Sequence, residues 1–145
     1  MLAKTLSACL AGVDSYEIDV EVDISSGLPS FSVVGLPDTA IRESRNRIKS
    51  AVKNTGFKFP DKKITVNLAP ADTKKEGVGF DLPIAIGVLI ASGHVKEDRI
   101  KDFIICGQLS LNGDLKPIRG ALPITMSIRK NKALILPKAN GKEAA

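Results

Sequence analysis

From Tyr16 to Ile24 the chain alternates without a break. Tyr16, Ile18, Val20, Val22 and Ile24 fall on one side, and Glu17, Asp19, Glu21 and Asp23 on the other. A two-residue period fits a β-strand with one buried and one solvated face, and no helix reproduces it. A chain with such a stretch must build a sheet and cover one side of it. Residues 3–10 alternate more loosely and predict a preceding strand. After the turn Ser25-Ser-Gly-Leu-Pro29, residues 30–34 predict a third strand, ended by Gly35. The three elements predict an antiparallel meander.

The cover for that sheet is predicted to be helical. Pro37 opens a helix that runs to about Asn54, since its missing N–H is harmless in a first turn, and Gly56 is its stop. Ile41, Ile48 and Val52 share the apolar face. Ile64–Leu68 predicts a short strand, and residues 71–79 a polar loop. Leu82–Ala91 is apolar almost throughout and predicts a helix at the centre of the core. Pro83 is tolerated in its first turn, and Asp81 is placed to cap it. Phe103–Cys106 predicts a buried strand. Asn112-Gly113, between two short apolar runs of Gly107–Gly120, predicts a hairpin with a type I′ turn. Residues 119–130 predict a third helix and Ala133–Leu136 a last strand. The class is α+β, with helices packed on a mostly antiparallel sheet. One domain spans 1–136, and 137–145 read as a tail or the start of a linker.

Composition narrows the function. The chain has 145 residues, 43% of them hydrophobic, which suits a single core. No apolar run approaches the roughly 18 residues that cross a membrane. The opening apolar stretch is interrupted by Thr5 and Ser7 and followed by acids, so it reads as a strand and predicts a cytoplasmic protein. Cys9 and Cys106 sit in apolar strands, which predicts reduced, buried thiols over a disulfide. His94 is the single histidine, whereas a zinc site takes about four Cys or His ligands. The acids of 17–23 lie in a line about 7 Å apart, a poor wrap for one cation. Gly-Lys-Ser/Thr is absent, so no phosphate loop of the Walker type is expected.

The net charge is +5, but residues 42–63 alone hold eight basic and two acidic residues, a local +6 that leaves −1 elsewhere. Arg42, Arg45, Lys49 and Lys53 follow helical spacing and form a basic stripe beside the apolar face. A solvated helix face is one reading. The other is a phosphate-contacting surface, sequence-independent and salt-sensitive. Aromatic residues number six, with only Phe57 and Phe59 near the stripe. Backbone or duplex contact is therefore expected ahead of base stacking.

Three segments carry a family resemblance: Val66-Asn-Leu-Ala-Pro70-Ala-Asp, Lys74-Lys-Glu-Gly77-Val-Gly-Phe-Asp81-Leu-Pro, and the hairpin closing in Pro117-Ile-Arg-Gly120 with Leu134-Ile-Leu-Pro-Lys138. Together they resemble the proteolytic domain of Lon, whose fold is like the second domain of ribosomal protein S5. Leu28-Pro-Ser-Phe-Ser-Val-Val-Gly-Leu-Pro37-Asp and Asn67-Leu-Ala-Pro-Ala-Asp72 more specifically resemble the amino-terminal domain of the magnesium-chelatase-like AAA+ ATPases, the YifB or competence protein ComM family. Lon uses a serine nucleophile and a lysine base. The serine position falls on Asp81 through the helix, or on Gly79 through the loop, and the lysine position on Leu122. Acyl transfer needs an activated nucleophile beside its base, so no catalytic residue is expected and Asp81 reads as a helix cap. The resemblance implies an AAA+ module beyond Ala145 that would bind ATP and Mg, with no cofactor in this chain. It also implies a homo-hexameric DNA motor of the helicase type, active in branch migration. This domain would serve ring assembly or DNA engagement through the basic helix. Recruitment of a protein partner, through the acidic strand or the basic helix, is one alternative, and an unconventional Lon-like peptidase is the other.

Overall fold

The computed structural model describes residues 1–11, 14–77, 79–118 and 133–141. Leu2–Ala11 (β1) and Asp14–Ser25 (β2) form a long antiparallel pair. The alternation has its expected result: Ile18, Val20 and Val22 are fully buried, while the acids face away from the core. Ser30–Val34 (β3) leads into Thr39–Asn54 (α1), and Lys63–Ala69 (β4) into Asp81–Ala91 (α2). Phe103–Ile105 (β5) precedes a small hairpin of Gln108–Leu109 (β6) and Leu115–Lys116 (β7), and Ala133–Ile135 (β8) follows. The predicted third helix, Gly120 and Leu122 lie outside the described residues.

The sheet is mixed, with strand order β3-β4-β2-β1-β5-β8. This corrects two expectations, the meander and the mostly antiparallel sheet. β4 inserts between β2 and β3, antiparallel to the first and parallel to the second. β5 is parallel to both β1 and β8. The reason lies in the apolar patterns. β4 buries Ile64, Val66 and Leu68 completely and belongs inside the sheet, while β3 is exposed at both ends and goes to the edge. Helix α1 supplies the long crossover that a parallel pair requires.

Both helices lie on one face of the sheet, α2 against β1 and β2, α1 against α2 and β3. Ile41, Ile48, Ala51 and Val52 of α1 and Ile84, Val88 and Ala91 of α2 meet the inner side chains of β2 and β4 in one core. Each fully buried aliphatic side chain there contributes about 1.5–3 kcal/mol. Contact between α2 and β2 is close: a Cβ on Gly87 would stand 2.5 Å from Val22 Cγ2. A second cluster of Leu6, Ile104, Cys106 and Ile118, flanked by Leu134 and Leu136, forms beside it. Cys9 and Cys106 are both buried thiols.

Both helix ends close through the same backbone motif. Phe57 N–H donates to Val52 O at 3.2 Å and Gly56 N–H to Lys53 O at 3.1 Å, so Gly56 is the stop as expected. Ser92, Gly93 and His94 repeat the arrangement after α2, with His94 N–H on Leu89 O at 2.8 Å. The start of α1 differs from expectation. Asp38, not Pro37, is adjacent to the helix, and its carboxylate accepts from Ile41 N–H at 2.8 Å. Pro37 instead pairs with Lys75 in an isolated bridge.

The hairpin also departs from its predicted turn. Gly113 N–H donates to Ser110 O at 3.0 Å, so Leu111 and Asn112 are the central residues, and only Gly113 has positive φ, at 93°. This is a three-residue loop with glycine at the bulge, not a type I′ turn. Packing favours it, because a Cβ on Gly113 would stand 2.4 Å from Thr55 Cγ2, and Asn54 Nδ2 donates to Leu111 O at 2.8 Å. The hairpin therefore clasps the end of α1. At the other end of the chain, buried Asn140 bonds the backbone of Ile118 twice, at 2.9 and 3.0 Å.

Candidate nucleic-acid interface

The four basic residues of the stripe do not share one environment. Arg42 is exposed. Arg45 turns along the helix, with Nε donating to Arg42 O at 2.9 Å and Nη1 to Phe31 O at 3.0 Å. It thereby caps a carbonyl of the edge strand β3, a position that would otherwise invite another chain. Lys49 lies over the Phe59 ring, with Nζ 5.8 Å from its centroid. Lys53 lies in the last turn.

Lys49 and Lys53 line a groove of about 720 Å³ between the end of α1, the loop into β4 and the start of β3. Strand register explains its shape. Ser30 pairs with Lys63 in the parallel β3–β4 ladder, and Ser30 N–H donates to Lys62 O at 3.3 Å, so both strand starts meet under the end of α1. The loop adds Lys58 and Lys62, and Asp61 is the carboxylate of the lining. The rings of Phe31 and Phe59 stand 5.7 Å apart. Lys58, Lys62 and Phe31 were not singled out by the helical spacing. The local +6 charge was the available signal for the two lysines, and nothing local signalled Phe31.

Asp81 is not a cap. Phe80 holds the cap position, Pro83 has no N–H to offer, and Ile84 N–H already donates to Phe80 O at 3.1 Å. The fully buried carboxylate instead accepts from Arg47 Nε at 3.1 Å, Arg47 Nη2 at 3.2 Å and Leu109 N–H at 3.0 Å. Burial pushes the Asp81 carboxyl up from the usual range, while Arg47 and the Leu109 amide oppose the rise. The pair ties α1, α2 and the hairpin together and draws Arg47 out of the basic surface. Gly79, the other match to a nucleophile position, accepts from Gly107 N–H at 2.9 Å through its carbonyl.

Lys75 is a residue that sequence reasoning missed. It is fully buried, and its Nζ donates to Gly35 O at 2.7 Å and to Pro70 O. Burial pushes its amine down, against the opposing pull of Asp72 and Cys9. It joins the ends of β3 and β4 and, through Lys75 O accepting from Asp38 N–H at 3.0 Å, the start of α1. A lysine inside a polar loop carries no local sign of such burial. On the opposite face, the acids of β2 are engaged at short range. Asp19 meets Lys4 at 3.5 Å, Glu21 accepts from Asn67 at 2.8 Å, and Asp23 lies 3.9 Å from the Met1 amine.

Residues 20–140 match the family profile described as subunit ChlI of Mg-chelatase. The chain is 43% identical to competence protein ComM of Haemophilus influenzae, over 99% of this chain and 28% of that protein. It is 44% identical to protein YifB of Escherichia coli, over 91% of this chain and 26% of that protein. It is 36% identical to protein Rv2897c of Mycobacterium tuberculosis, over 99% of this chain and 29% of that protein. The chain thus spans less than a third of the length of these curated relatives. Matched through most of its length, it belongs to the family of subunit ChlI of Mg-chelatase.

Proposed function

We propose that this chain is a non-catalytic domain of a magnesium-chelatase-like AAA+ ATPase of the ComM type, and that it engages DNA for an ATP-driven remodelling motor. The observation that carries this reading is the lysine-lined groove continuous with the exposed side of α1. Lysines at 49, 53, 58 and 62 converge there with a single opposing carboxylate, Asp61. The groove lies at the C-terminal end of α1, where the helix dipole repels anions. Attraction for phosphate therefore rests on the lysines and must be salt-sensitive. The similarity to competence protein ComM supports the ComM-type assignment. ATP and Mg would be bound elsewhere in a parent protein, and ring assembly would involve the same longer chain. Peptidase chemistry is disfavoured by Asp81, which is buried against Arg47 at the position matched to a nucleophile.

A salt titration of forked and linear duplex DNA binding tests this. Binding is expected to weaken linearly on a log–log scale. Arg42→Glu with Lys49→Glu is expected to reduce the slope by roughly one per lost phosphate contact. Binding unchanged by the double charge reversal sinks the reading.

A further inference from the structure

We infer that the groove beside α1 takes single-stranded nucleic acid, with an unpaired base stacked on Phe57. This rests on the DNA reading above and narrows it. The scarcity of aromatic residues near the basic stripe pointed to backbone or duplex contact. The fold changes the chemistry by gathering Phe31, Phe57 and Phe59 into the same lining as Lys49, Lys53 and Lys58. Phe59 and Phe31 pack on each other, and Phe59 is only 9% exposed, so these two build the wall. Phe57 differs. It is 37% exposed and rests against the His94 ring, with centroids 5.1 Å apart. An aromatic ring exposed at the surface among lysines is a stacking platform. A duplex keeps its base faces inside its own stack and meets a protein through phosphates and groove edges. It therefore gains nothing from Phe57, whereas an unpaired strand gains both stacking and phosphate contact.

Nothing in the lining separates DNA from RNA, since the shared chemistry is an exposed base on a phosphate backbone. An acidic peptide would satisfy the lysines but leave the Phe57 ring without a partner of matching shape. The single strand accounts for both features.

Fluorescence anisotropy of the whole 145-residue chain tests this with labelled oligothymidine and oligouridine of about 16 nucleotides, a duplex of equal length and an oligoglutamate. Single strand is expected to bind more tightly than duplex. Phe57→Ala is expected to weaken single-strand binding about fivefold to a hundredfold and leave duplex binding and the salt slope unchanged. Phe57→Leu should lose the same affinity while keeping apolar bulk, and Phe57→Tyr should retain it, which separates stacking from a folding defect. Lys58→Glu with Lys62→Glu should weaken both nucleic acids and flatten the salt dependence. If duplex binds at least as tightly and Phe57→Leu changes nothing, the single-strand inference is overturned while DNA engagement stands. If neither nucleic acid binds, or oligoglutamate binds more tightly than both, the DNA reading itself fails.

Discussion

At the scale of single residues, one ion pair built on a fully buried carboxylate ties three elements together. Asp81 and Arg47 form an ion pair whose carboxylate has no exposure and whose guanidinium is only partly solvated. Removing one partner of such a pair strands the other, at a cost of about 3–5 kcal/mol, whereas replacing both by apolar groups is far less damaging. Arg47→Met is therefore expected to lower the urea-unfolding free energy by roughly that amount, and Arg47→Met with Asp81→Leu to recover most of it. A double variant as unstable as the sum of the singles would show that the pair does not act as a unit. Tyr16 offers a pH-dependent readout, because it is the only tyrosine and the chain has no tryptophan. Burial first, then the Cys9 thiol, pushes it up from 10.0 to about 12. Its hydroxyl donates to Lys74 O at 2.9 Å. The folded state thus keeps a proton that the unfolded chain releases. The stabilisation is complete below pH 10 and is lost as pH rises through about 12. Phenolate absorbance should titrate near that upper value in the folded protein, and near the ordinary value in urea.

At the scale of elements, sequence periods located the long strands and both described helices well. Ile18, Val20 and Val22 announce their burial by alternation, and the apolar run of α2 announces a core helix. Positions decided by a neighbour in space were not legible in this way. Gly87 looks like a weak point in α2, yet its hydrogen stands where a Cβ would come within 2.5 Å of Val22 Cγ2. Gly87→Ala gains roughly 1 kcal/mol of helix propensity but overpacks the α2–β2 contact by about 1–3 kcal/mol. The net expectation is destabilisation, relieved in part when Val22→Ala is added. A double-mutant cycle in urea measures it, and strict additivity would contradict the contact. The hairpin teaches the same lesson. Asn112-Gly113 signals a turn correctly, but the turn type follows from the fit of Gly113 against Thr55.

At the scale of the whole molecule, the sheet order has a measurable consequence. β2 and β4 are interior strands, and β3 is an edge strand capped by Arg45. Amide hydrogen exchange should show the slowest rates in β2 and β4 and faster exchange in β3, because local opening follows the edges. Protection of β3 equal to that of β2 would favour the meander order over the observed one. The same topology creates the groove. Parallel pairing of β3 with β4 brings Phe31 beside the Phe57–Lys62 loop, residues far apart along the chain.

Local sequence was enough to place the described strands and helices, their apolar faces, the concentration of positive charge and the family resemblance. These are properties of short windows, set by the periods of two and 3.6 residues and by glycine and proline chemistry. Packing between distant segments is what puts β4 between β2 and β3, brings Asp81 to Arg47, buries Lys75 and lines one groove with lysines and aromatics. Each of those depends on which distant segments become neighbours. Long-range pairing is selected by burial of the whole core, and no local period records it.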